Sequence, residues 1–259
     1  MKILIIAHNT FRETIRDRVL RVIVGLCLVV ILASRAIAEI SLGQDLKVIA
    51  DLSLGAIDLF GMVLCVFIGT GLIYKEIDKR TLYTVVSRPV HRWEFIIGKY
   101  LGMGTTLFVT LSLMGAVFCL FYALNGGRLN WIMLGSVYLL FIGLMLLNAI
   151  AIFFSTMASP TVSAICTVVI FIIGRATYEL KYLAERFTGV TQDAVMALYY
   201  LLPNFNNFNI KMAAVYGRFD AVQHMEVNPA IFVHSLTYGV AYIALLLYLA
   251  SVIFNKRNL

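Results

Sequence analysis

Charge is scarce in this chain. Asp, Glu, Lys and Arg make up 14% of the residues, where soluble globular domains carry about 25%. That shortage excludes an ordinary water-soluble globule, whose surface is dominated by polar and charged side chains. Proline occupies only four positions, so the long apolar runs can continue as helices with few forced breaks. Cys27, Cys65, Cys119 and Cys166 all fall inside apolar runs and show no CxxC spacing; they read as packing residues, without a disulfide framework. His8, His91, His224 and His234 are scattered and lack the spacing of a metal site. No GxxxxGK[ST], HExxH or GxSxG occurs, and Gly98-Lys99 has neither the upstream glycine nor the following Ser or Thr of a phosphate-binding loop. No catalytic site, cofactor or metal is therefore expected in this chain.

Apolar residues, by contrast, reach 61%, and the mean hydropathy is 0.90. Six runs long enough to cross a hydrocarbon core of about 30 Å are read at 19–40, 52–74, 95–124, 131–155, 160–178 and 230–254. Gly and Ala recur inside them, as in "LGMGTTLFVTLSLMGA", which suits close helix packing in lipid. The expected fold class is all-α, a single transmembrane domain over 1–259 with six transmembrane helices and an N-terminal amphipathic surface helix. A β-barrel would need alternating segments of about ten residues, and none is evident.

Orientation follows from Lys and Arg placement. Lys2, Arg12, Arg16, Arg18, Arg21, Lys75, Lys79, Arg80, Arg88, Arg92, Lys99, Lys256 and Arg257 fall on the side of the N-terminus, while the short opposite loops hold Arg35, Lys47 and Arg128. Both termini are expected in the cytoplasm. The net charge of +7 then reports topology, and no nucleic-acid partner is expected. Ala36-Ile37-Ala38 resembles a signal-peptidase site, but a polar leader containing Glu13 and Asp17 precedes it; the first span is expected to remain uncleaved.

Within 1–18, Leu4, Phe11, Ile15 and Val19 recur at helical spacing opposite Arg12, Glu13, Arg16 and Asp17. This reads as an interfacial helix drawn to anionic lipid, or as a basic flank that only sets topology. Inside the spans, Asp58 is the clearest charge. It is expected to reach the outer headgroups or a neighbour such as Arg35, the alternative being a place on an ion pathway. Arg35 with Glu39 and Arg175 with Glu179 stand four apart and can pair.

The densest charge lies in "KEIDKRTLYTVVSRPVHRWEFIIGK", residues 75–99. Apolar Ile77, Leu82, Val85, Val86 and Trp93 are interleaved there with Glu76, Asp78, Lys79, Arg80, Arg88, Arg92 and Glu94. A short amphipathic helix over 76–87 is expected, stopped by Pro89, which biases Arg88 away from the α region. The residues alone allow a rigid cytoplasmic elbow that engages a soluble partner, or a solvated loop that sets topology.

This stretch resembles the intracellular elbow of ATP-binding-cassette (ABC) transporter permeases of the second exporter type, including the subgroup similar to the permease of the nitrous-oxide-reductase maturation system. The shared pattern, an acidic pair, Thr, Pro-x-x-Arg and Gly-Lys, falls on Glu76, Asp78, Thr81, Pro89, Arg92, Gly98 and Lys99; Arg80 stands where many members have Gly. The order of elements also resembles the family layout, with an outer segment at 179–229 whose short helices dip into the membrane. Within "ALYYLLPNFNNFNIKMAAVYG", Val195, Leu198 and Leu202 form a stripe ending at Pro203. Asn206 or Asn207 is expected to cap a second short helix closed by Gly217, and Phe205, Phe208, Met212 and Val215 make this segment more apolar than a solvated cap.

The resemblance implies a permease subunit of an ATP-driven ABC transporter in a prokaryotic plasma (inner) membrane. It implies pairing with a second copy or a paralogue, and docking of two ABC-type ATPase subunits that hold the ATP and Mg. The coupling residues it implies at 75–94 are Glu76, Asp78, Lys79, Arg80, Thr81, Arg88, Pro89, Arg92, Trp93 and Glu94. Exporting a solute and transmitting force to an external partner both fit. An ion-gradient-driven transporter or channel built on Asp58 is the alternative.

Overall fold

An apolar chain with few prolines satisfies its backbone donors and acceptors within helices, and the computed structural model is built from them. It describes residues 2–41, 43–71, 91–184, 186, 190–216 and 230–256, and no strand occurs among these. Helix α1 spans Lys2–Ile15. Asp17 is extended, and its carboxylate accepts from the Val19 N–H at 2.9 Å, which starts α2, Arg18–Ala38. α3, Asp45–Leu64, continues through a π-helical turn, Cys65–Gly69. α4 is Arg92–Leu124 and α5 Trp131–Met157. α6, Pro160–Arg175, opens on a proline that lacks only a donor the first turn leaves unused. α7, Thr177–Ala184, and α8, Val190–Leu201, are followed by a 3₁₀ turn at Phe205–Phe208, then α9, Lys211–Tyr216, and α10, Ala230–Lys256.

Five helices, α2, α3 with its π turn, α4, α5 and α10, are long and apolar enough to cross a membrane. α6 is apolar but has 16 residues, a rise of about 24 Å. The run read at 160–178 therefore divides: α6 stops at Arg175, and Ala176 separates it from α7. The second run begins earlier than expected, at Asp45, which brings Asp51 into α3 together with Asp58.

α5 is the central helix and touches α3, α4, α6, α9 and α10. It buries Leu139, Leu140, Leu144, Leu146, Leu147 and Ile150 among them. The π turn packs on it. Cys65 donates its thiol to the Leu144 carbonyl at 3.4 Å, and Ser155 of α5 donates to the Thr70 carbonyl at 2.7 Å. A side-chain hydroxyl thus satisfies a carbonyl next to the wider turn.

α1 packs along the start of α4 through its small residues. Leu4 is 70% exposed, whereas Ala7, Thr10 and Thr14 are buried. A Cβ on Gly102 would lie 2.5 Å from the Thr10 Cβ and 2.6 Å from the Ala7 carbonyl oxygen, and one on Gly98 would lie 2.7 Å from Ile6. Two glycines one turn apart let the backbones approach, so the small face of α1 wins over its bulkier apolar stripe. Gly102→Leu is expected to weaken this junction by about 1–3 kcal/mol, seen as a lower melting midpoint in detergent and faster proteolysis of α1. Gly25→Leu, where a Cβ meets nothing within 4 Å, should leave both unchanged.

Candidate functional site

Glu76, Asp78, Lys79, Arg80, Thr81, Arg88 and Pro89 lie outside the described residues. The remaining three expected coupling residues open α4, and two of them hold helix ends. Glu94 accepts the His91 N–H at 2.9 Å, which caps α4. Arg92 donates to the Phe254 and Asn255 carbonyls at 2.7 and 3.3 Å. Its guanidinium also lies 5.8 Å from the centre of the Phe254 ring, which stacks with Phe95 at 6.1 Å. The cation therefore sits at the C-terminal end of α10, where the helix dipole favours it. Trp93 points outward and is 46% exposed.

The Gly-Lys pair of the same stretch holds the other neighbour. Gly98 receives α1, and Lys99, 3% exposed, pairs with Glu13 of α1 at 3.7 Å and lies 5.7 Å from the Phe95 ring centre. The first two turns of α4 thus clamp α1 through Gly98 and Lys99, and α10 through Arg92. Arg92, one of the residues expected to couple to a partner, also bonds inside the chain through its Nη1.

The opposite end of the bundle holds Asp58, the charge read inside an apolar run. Asp58 does not reach Arg35; it pairs with Arg175 at the end of α6, 2.5 Å between Oδ2 and Nη2. Arg175, expected beside Glu179, instead turns to Asp58 and lies 4.9 Å from the Phe171 ring centre. Arg35 does pair with Glu39, at 3.4 Å, and also donates to Asn125 Oδ1 at 2.5 Å. A second pair, unread in the sequence, joins Lys211 of α9 to Asp51 of α3 at 2.9 Å. The available signal was the spacing of Asp51 and Asp58, seven apart and so on one helix face.

The segment carrying Lys211 is stitched down by asparagines. Asn204 Oδ1 accepts from the Asn206 N–H at 2.9 Å and from Thr177 Oγ1 at 2.7 Å, and Asn206 Nδ2 donates to the Arg175 carbonyl at 2.8 Å. The Tyr238 hydroxyl accepts from the Asn204 N–H at 2.9 Å, and Ser235 of α10 donates to the Asn207 carbonyl at 2.7 Å. Asn204 caps the 3₁₀ turn and Asn209 accepts from the Lys211 N–H at 3.2 Å; these roles had been expected of Asn206 or Asn207. Gly217, expected to close the helix, lies outside the described residues. Between the asparagines, Phe205 and Phe208 are 2% exposed, and Phe205 meets Phe171 edge-on at 5.2 Å.

Removing the carbonyl-capping guanidinium tests the clamp at the start of α4. Arg92→Gln is expected to destabilise the chain by about 1–2 kcal/mol, read as a lower melting midpoint, with α10 exchanging backbone hydrogens faster near Phe254. Equal exchange in the variant and the parent would remove the clamp.

Family comparison agrees with this architecture. The model of the ABC-2 family transporter protein matches residues 4–259. No curated protein matches the chain. With that match running over nearly its whole length, the chain belongs to the ABC-2 transporter family, as a multi-pass membrane component of an ABC transporter.

Proposed function

We propose that this chain is one half of an ATP-driven exporter or force-transmitting transporter of the plasma (inner) membrane. It pairs with a second copy or a paralogue, and each half docks an ABC-type ATPase through residues 75–94. In this reading α6 together with the start of α7 forms the sixth span. Both termini are cytoplasmic, and α1 lies at the cytoplasmic headgroups with Leu4 and Phe11 toward lipid. ATP and Mg belong to the ATPase. Its proposed subgroup is the one that resembles the nitrous-oxide-reductase maturation permease, a reading supported by the pattern Glu76, Asp78, Thr81, Pro89, Arg92, Gly98 and Lys99.

One observation carries the coupling. The helix that leaves the elbow, α4, is clamped at its base to both α1 and α10 through Gly98, Lys99 and Arg92. A push on the elbow therefore moves three helices together. Shifting a gate from 1:99 to 99:1 takes about 5.5 kcal/mol, and a base held by an ion pair, carbonyl bonds and close backbone packing transmits such a load where a soft loop would absorb it. The gradient-driven alternative is less well supported, because the carboxylate it would use, Asp58, is engaged by Arg175.

The test is a gentle-detergent pull-down of the tagged chain from its native membrane, with mass spectrometry and an ATPase assay of the eluate. A soluble ABC-type ATPase near one-to-one is expected. Arg80→Glu with Arg88→Glu should reduce its recovery by more than about tenfold at an unchanged melting midpoint. These two are preferred to Arg92, whose loss would disturb α10. Full recovery of the ATPase with the double variant would remove the elbow from the mechanism.

A further inference from the structure

Two acidic residues of α3, Asp51 and Asp58, bracket Gly55 on one helix face, and each meets a cation, one from the last residue of α6 and one from α9. Asp58 pairs with Arg175 at 2.5 Å and Asp51 with Lys211 at 2.9 Å. Gly55 allows the second approach, because a Cβ there would stand 2.9 Å from Lys211 Nζ. Farther along the same two helices, Lys47 lies 6.0 Å from the ring centre of Tyr216. The two ion pairs are adjacent. Asp58 and Lys211 line one small cavity of about 10 Å³ with Ser136, Asn209, Leu140 and Phe208, room for about one water with polar partners on several sides. The group is also unsaturated, since the buried Arg175 Nε has no hydrogen-bond partner among the described residues.

Resting on the ATP-driven reading above, we infer that these two ion pairs are the outer latch of the transporter, holding residues 204–216 against α3, directly through Lys211 and indirectly through the end of α6 to which Asn206 is bonded, until the elbow moves that helix. α3 and its π turn form one continuous helical rod over 25 residues, Asp45–Gly69, about 37 Å long. Its cytoplasmic end, Gly69, stands six residues before Lys75, where the elbow begins. Displacing the rod along its axis slides both carboxylates past their cations together, and ion pairs of this kind have discrete made and broken states. The four charges sum to zero, so the closed state leaves no net charge in the bundle. A water in the shared cavity would begin to hydrate Asp58 and Lys211 as they part. The other ties of the segment run elsewhere: Asn204 and Asn207 to α10, Asn206 to the end of α6. Opening at α3 therefore leaves the segment hinged on α6 and α10.

Buried Ala214 reports the state of the latch, because it faces the bundle from α9 at 8% exposure. The experiment places Ala214→Cys in a chain whose native cysteines are replaced, co-purifies it with its ATPase, and reconstitutes the complex in lipid nanodiscs. Labelling by a membrane-impermeant maleimide is then timed. Without nucleotide the parent should label slowly, and nucleotide trapping with vanadate should accelerate labelling by at least about tenfold. Asp58→Asn and Lys211→Met should show the fast rate without nucleotide, and the exchanged pair Asp51→Lys with Lys211→Asp should return it to the slow one. Equal labelling in parent and variants overturns the latch. Fast labelling in the variants with no nucleotide response in the parent reduces the ion pairs to a fixed staple and also overturns it. Absence of any co-purifying ATPase is a different result, and it sinks the ATP-driven reading on which the latch rests.

Discussion

A cation carried into a helical bundle in lipid has to find its counter-charge or its carbonyls inside the bundle, because no water is there to hydrate it. Lys99, Arg175 and Lys211 meet that demand with Glu13, Asp58 and Asp51, and Arg92 meets it with the carbonyls that end α10. Each solution joins elements that lie far apart in the chain. The charges are few, and they mark where the helices are tied to one another.

These ties sit at the two ends of the bundle, and apolar packing fills the middle. At one end, α4 gathers α1 and α10 within its first turns. At the other, α3 meets the end of α6 and α9. Between them α5 packs against most of the bundle through leucines and small residues. In lipid the association of apolar helices depends on close fit more than on burial from water, which is why glycine positions such as Gly98 and Gly102 determine which faces meet. The π turn of α3 adds a local irregularity beside α5, and the hydroxyl of Ser155 answers it.

Much of the helical architecture could be read from composition and run length, since an apolar run of about twenty residues has few structural options. The Arg35–Glu39 pair was legible for the same reason, as a contact set by the helix repeat alone. The face of α1 that packs was not legible. Its hydrophobic periodicity marked Leu4, Phe11 and Ile15 as an apolar stripe but gave no sign that Ala7, Thr10 and Thr14 meet two glycines of α4. The run at 160–178 was read as one element because hydropathy does not register the break at Ala176. The bonds from Arg92 to the end of α10 had no local sign in the sequence either.

The sequence by itself determined the all-helical class, the multi-pass habit and the presence of a carboxylate, Asp58, inside an apolar run, because these depend on local composition and the helix repeat. Only the tertiary structure decided which charge answers which: Arg175 for Asp58, Lys211 for Asp51, and the last carbonyls of α10 for Arg92. Those partners are separated by more than one hundred residues along the chain. Their meeting is set by how the helices pack, and no local pattern in the sequence encodes that geometry.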